Sequence, residues 1–234
     1  MLGWFDPMYF VFLIPGMLLA MWAQARVSMA YAQGSQIPAS SGITGAQAAA
    51  EIMRAEGVHG VEIEPVAGHL SDHYDPRHKV LRLSYDNFQG RSLAALGVAA
   101  HEAGHAIQDA HGYSPLVIRN LMVPVASFGS NAAWIVMIAG FVLHLMNLVV
   151  LGIVLFGTTV AVHLVNLPVE FDASRRARHA LAMTGLIDPE EDRTIGSVLN
   201  AAAWTYVAAT LTSVLTLLYY LYRFGLIGGS SRDD

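Results

Sequence analysis

Long uncharged apolar stretches alternate with shorter polar segments along this chain, and they set its architecture. A helix that spans a bilayer needs about 20 consecutive apolar residues. Pro7 to Ala25 meets that length, bounded by Asp6 and Arg26. The fifty residues between Arg119 and Glu170 carry no Asp, Glu, Lys or Arg. That is too long for one span and suits a helical hairpin turning near His144-Leu145-Met146-Asn147. Gly196 to Tyr222 is the last such stretch, closed by Arg223. The pattern predicts four transmembrane helices.

The segments between them follow other periods. Residues 33–43 are rich in Gly, Ser and Gln and read as a linker. Thr44 with Gln47 three residues on forms a capping box, opening a helix through about Ala55 that stops at Gly57. Val61–Val66 and Lys79–Ser84 alternate apolar and polar positions as strands do, with Tyr74-Asp75-Pro76-Arg77 as a turn between them. Such strands either offer an edge to an extended peptide or form a plain structural hairpin. Residues 91–110 read as a helix. It carries Arg91, Glu102 and Asp109, which are expensive at bilayer depth, so it is no lipid-facing span. Pro168 is expected to begin a helix to about Met183, with Gly185 as its stop. Asp188 caps the next helix with Pro189 in first position and acids on its positive end, continuing to Phe224. No internal repeat is present.

Composition agrees with a membrane protein. Of 234 residues, 54% are hydrophobic and 13% charged, against about 25% charged in a soluble domain. Mean hydropathy is +0.45. The chain has no cysteine, which excludes disulfides, thiolate zinc sites and cysteine nucleophiles. A net charge of −5 and the absence of a basic run speak against nucleic acid as a partner. Ala23-Gln24-Ala25 fits a signal-peptidase site, but the first six residues hold no Lys or Arg, so the first span reads as an uncleaved anchor. Segment 26–119 holds seven Lys/Arg and segment 170–195 four more, whereas only Arg223 and Arg232 lie on the other side. The positive-inside rule then places both large segments in the cytoplasm and both termini outside.

The candidate chemistry is concentrated in His101-Glu102-Ala103-Gly104-His105. Residues four apart share a helix face, so His101 and His105 can address one metal ion, with Glu102 placed to take a proton from water. A catalytic zinc usually has three protein ligands. Three residues qualify as the third. His111 follows His105 by six positions, the spacing of a three-histidine pattern that needs a glycine where this chain has Gln108. Glu170 opens the segment after the hairpin, which returns the chain to the same membrane face. His163 lies inside an apparent span. His59, His69, His73 and His78 form a further small cluster, read chiefly as loop histidines. His179, Arg175, Arg178 and Tyr85 are the candidates to steady an oxyanion.

The motif around His101, the apolar hairpin, and Leu167-Pro168-Val169-Glu170-Phe171-Asp172-Ala173-Ser174-Arg175-Arg176-Ala177 together resemble the bacterial neutral zinc metallopeptidase family of YugP-like membrane proteins. The likeness runs from the N-terminal anchor to the last span. It implies one Zn2+ per chain, with His101, His105 and Glu170 as ligands and Glu102 as general base. It also implies a multi-pass protein of the bacterial inner membrane. More distantly the arrangement is similar to membrane zinc proteases of the HtpX and CAAX-protease group, whose ligand helix reads E-x-x-x-D. Ser174 stands in that fifth position here, so carboxylate support for a ligand histidine would fall to Asp172 or Asp109.

The expected fold is a mainly α integral membrane protein with a small α+β zincin-like cytoplasmic catalytic region. Its expected parts are an anchor (1–32), a catalytic region (33–118), a transmembrane hairpin (119–169), a third-ligand helix (170–195) and a last transmembrane helix with its tail (196–234). The expected activity is hydrolysis of peptide bonds in peptides or membrane proteins near the bilayer surface. A zinc-binding scaffold or chaperone, and a hydrolase of lipid or another amide, are the competing readings.

Overall fold

A computed structural model describes residues 6–227. The first five residues, most of the segment without Lys or Arg ahead of the first span, lie outside them, as does the tail holding Arg232. The described chain is mostly helical with one small sheet. Its elements in order are α1 (Pro7–Ser35), α2 (Gly45–Ala55), β1 (Glu62–Val66), β2 (His73–Asp75), β3 (Val80–Ser84), α3 (Tyr85–Gln89), α4 (Leu93–Ala110), α5 (Ser114–Val142), α6 (Met146–Met183) and α7 (Pro189–Arg223). The four helices α1, α5, α6 and α7 are long and apolar enough to cross a membrane. The chain divides into two compact units.

One unit comprises the start of the chain to Trp22, Ile118–Leu167, and the chain from Thr205 on. Here α5 and the first part of α6 form the hairpin expected from the charge-free stretch. The reversal falls at Leu143–Leu145, with His144 in the left-handed region (φ 56°). Ala133 and Met137 of α5 are buried with Val149 and Ile153 of α6 and with Tyr219 and Tyr220 of α7. Tyr219 donates to the Asp6 carboxylate at 3.0 Å, tying the two ends of the described chain together.

The other unit comprises Ala23–Val117 and Pro168–Trp204. The Thr44 capping box forms as its sequence requires: Gln47 N–H donates to Thr44 Oγ1 at 3.2 Å, and Thr44 N–H to Gln47 Oε1 at 2.9 Å. Ala48, Ala49, Ile52 and Met53 of α2 are buried with Leu81 and Leu83 of β3 and with Leu93, Leu96 and Ala103 of α4. Ala177, Leu181 and Ile195 complete this core from α6 and α7. The small residues of α4 let the other helices approach it closely.

The sheet departs from the two-strand expectation. Its order is β1-β3-β2, with β1 parallel to β3 (Ile63 beside Leu81) and β2 antiparallel to it (Tyr74 beside Leu81). A plain hairpin of the two alternating segments is therefore not what forms. The turn sits two residues later than expected, at 76–79, where Asp75 Oδ1 accepts the backbone N–H groups of Arg77 (3.0 Å) and His78 (3.3 Å). That arrangement leaves Tyr74 and Asp75 in a strand.

A second departure concerns Pro168. It begins no new helix but lies inside α6, which runs unbroken from Met146 to Met183. Proline has the same φ at the first position of a helix and in its interior, and only the preceding turn distinguishes them. At an interior position it forgoes one backbone hydrogen bond, which membrane helices tolerate. At α7 the expectation holds: Asp188 Oδ1 accepts from the backbone of Glu190 (2.8 Å) and Glu191 (2.9 Å). Glu191 answers by accepting from Asp188 N–H at 2.9 Å.

Candidate metal centre

Helix α4 starts at Ser92, whose hydroxyl accepts from Ala95 N–H at 3.2 Å, and it carries His101 and His105 one turn apart. Their rings lie 4.8 Å apart at 80° to one another. Helix α6 supplies Glu170, whose carboxyl oxygen is 3.3 Å from His101 Nε2 and 3.6 Å from His105 Nε2. Among the described residues these three form the one His/Asp/Glu group compact enough to hold a metal ion, with donor atoms within 4.8 Å of one another.

The approach of α6 to α4 depends on Gly104. A Cβ built there would stand 2.5 Å from the Ala173 carbonyl oxygen, so only glycine admits the α6 backbone at this point. The fourth position of the pentapeptide thereby helps to bring Glu170 to the two histidines.

Both imidazoles are held from behind. His105 Nδ1 is 3.0 Å from Gln108 Oε1, and the Gln108 amide nitrogen donates to the Val169 carbonyl (2.8 Å) and to Asp172 Oδ2 (2.9 Å). His101 Nδ1 is 3.1 Å from the Ser174 hydroxyl. With each Nδ1 so engaged, both Nε2 atoms face Glu170. Donors around a tetrahedral zinc at about 2.1 Å lie about 3.4 Å apart, close to the 3.3 and 3.6 Å found here. The donor set fits the ion.

The surroundings are largely buried and acidic. Glu170 is 3% exposed and Glu102 9%. Burial alone would lower the proton affinity of His105, but its bond to Glu170 and the charges of Glu102 and Glu170 outweigh it. The ring therefore holds its proton above the usual imidazole range.

The other sequence candidates go elsewhere. His111 is the C-cap residue of α4 and points to Arg176, 3.5 Å away. The glycine that could turn the chain follows at Gly112 (φ 63°), too late to swing His111 back. His163 belongs to the apolar part of α6, outside the group. Asp109 is engaged by the Tyr74 hydroxyl (2.7 Å) and by Lys79, so it supports neither histidine. His69, His73 and His78 turn to separate partners: Asp86, the Ser71 carbonyl and Asp75. Arg175 pairs with Asp172, Arg178 forms a fork with Asp192 (2.8 and 2.6 Å), and Tyr85 is exposed. His179 lines an open groove of about 460 Å³ with Phe171, Ser174, Arg178 and Asn200. Through Ser174 that groove comes within one hydrogen bond of His101.

In the sequence Gln108 stands out only as the wrong residue for a turn and Ser174 only as a departure from a pattern. For Gln108 a signal existed: it lies three residues after His105, on the same face of one helix.

An H-E-x-x-H helix met by a glutamate from a second helix is the arrangement of metallopeptidases with two histidines and one glutamate. A model of the family described as "Putative neutral zinc metallopeptidase" matches residues 9–225, and this chain belongs to that family. It is also 43% identical over 228 residues to "Putative membrane protease YugP" of Bacillus subtilis (strain 168), covering 97% of this chain and 100% of that protein. No solved structure matches the chain.

Proposed function

We propose that this chain is a membrane-embedded zinc endopeptidase in which His101, His105 and Glu170 hold one ion and Glu102 is the general base. The observation that carries the reading is the convergence of two Nε2 atoms and one carboxyl oxygen within 4.8 Å, beside a buried Glu102. Zinc bound there would polarise a scissile carbonyl and make water a nucleophile near neutral pH. Glu102 would take a proton from the attacking water and deliver it to the leaving amine. Glu170 and the two imidazoles would hold the ion in place beside Glu102.

The site is proposed to face the cytoplasm, supported by the Lys and Arg of segments 26–119 and 170–195. Membrane proteins or membrane-tethered peptides are the proposed substrates, because Glu170 follows the apolar stretch of α6 by two residues past Pro168. Comparable cutting of soluble unfolded chains and membrane-anchored ones by the purified enzyme would refute that substrate class.

Glu102→Gln tests the mechanism. The variant should keep its zinc and lose hydrolysis by roughly 10²–10⁴-fold, the range of a general base. Hydrolysis at the wild-type rate would remove Glu102 from the mechanism. A wild type that carries zinc yet cleaves no peptide would favour the scaffold reading.

A further inference from the structure

We propose that Gln108 is a positioning residue that fixes which nitrogen of His105 faces the metal. It does so by passing the hydrogen-bond polarity of Asp172 and the Val169 carbonyl to the imidazole. This rests on His105 being a zinc ligand.

Donors and acceptors decide the orientation of the amide. An amide side chain has an accepting oxygen and a donating nitrogen, and the two ends can exchange by a flip. At Gln108 the flip is excluded. One end of the amide faces the Val169 carbonyl at 2.8 Å and Asp172 Oδ2 at 2.9 Å, and both of these only accept. The nitrogen must therefore lie on that side, and the oxygen must lie at His105, 3.0 Å from Nδ1. An accepting oxygen there requires a hydrogen on Nδ1. A neutral imidazole with its hydrogen on Nδ1 keeps its lone pair on Nε2, the atom 3.6 Å from Glu170.

Burial makes this polarity costly to violate. Gln108 is fully buried and Asp172 is 4% exposed. A donor–donor or acceptor–acceptor clash there has no water to relieve it. Asp172 is in turn held by Arg175 and by Arg176 Nε at 2.6 Å, which keep it an ionised acceptor. His101 is treated differently. Its Nδ1 meets the Ser174 hydroxyl, which can donate or accept and so imposes no tautomer. One ligand histidine is locked and the other is free to adjust.

The test uses the full-length protein in detergent, loaded with zinc and labelled with 15N at histidine. In the wild type, NMR should show His105 carrying a slowly exchanging hydrogen on Nδ1. A His105 that bears its hydrogen on Nε2 overturns the proposal, and this readout needs no variant. Gln108→Met, nearly the same size and apolar, should lose the protection of that hydrogen and bind zinc about 10–100-fold more weakly in chelator competition. An affinity within twofold of wild type would overturn the relay. His105→Ala separates failure of the ligand assignment from failure of the relay. If it still binds zinc, the ligand assignment fails and the relay falls with it. If it loses zinc while Gln108→Met binds like wild type, the relay alone fails.

Discussion

Gly104→Ala perturbs the site without touching a ligand. The new methyl would lie 2.5 Å from the Ala173 carbonyl oxygen, 3.1 Å from its carbon and 3.3 Å from its Cα. All three are backbone atoms of α6, so no side chain can rotate away. Restoring an ordinary contact of about 3.4 Å requires α4 and α6 to separate locally by about 0.9 Å, against a tolerance of about 0.2 Å in metal–ligand distances. Glu170 lies less than one turn from Ala173 on the same helix and would move with it. Alanine favours a helix over glycine by about 1 kcal/mol, while overpacking a core costs about 1–3 kcal/mol. The net stability change should thus be small, about 0–2 kcal/mol of destabilisation, while zinc affinity falls by about 10–100-fold. Chelator competition beside thermal melting in the same detergent separates the two effects. Gly97→Ala is the control, since its methyl would meet only side-chain atoms, the nearest being Ile195 Cγ2 at 3.1 Å, and no backbone of another helix. Wild-type zinc affinity in Gly104→Ala would refute the claim that this close approach positions the third donor.

Two further predictions concern the scaffold around the site. Leu96, fully buried in the core of α2, α4 and β3, should cost about 2–5 kcal/mol when cut to Ala, read as a lowered melting temperature. Glu191→Gln should destabilise by about 1–3 kcal/mol, since both carboxyl oxygens accept and one would become a donor. They take Ser40 N–H (2.7 Å), the Ser40 hydroxyl (2.8 Å) and Asp188 N–H (2.9 Å). Hydrogen exchange should rise at residues 38–42 and 188–192, and unchanged exchange there would contradict the role given to this carboxylate.

What was legible in the sequence is what local chemistry encodes. The capping residues Thr44 and Asp188 announce their helices because their side chains satisfy nearby backbone donors. The hairpin was legible because charge is excluded from a bilayer over a known length. The shared face of His101 and His105 follows from helical period alone. Other features depend on partners far away in the chain. Pro168 reads as a helix start until the preceding turn is seen to be helical. β2 is too short for alternation to show, and it exists because β3 offers it an edge. Gln108 and Ser174 gain their meaning only when α6 lies against α4. Position 104 illustrates the same point: a glycine inside a helix marks some close approach, but which backbone approaches is a tertiary fact.

The most direct test of the account is the zinc content of the purified full-length protein and two variants. One ion is expected per wild-type chain, none in Glu170→Ala, and one in His111→Ala. Zinc retained in Glu170→Ala but lost in His111→Ala would contradict the account, replacing the two-histidine, one-glutamate centre with a three-histidine one.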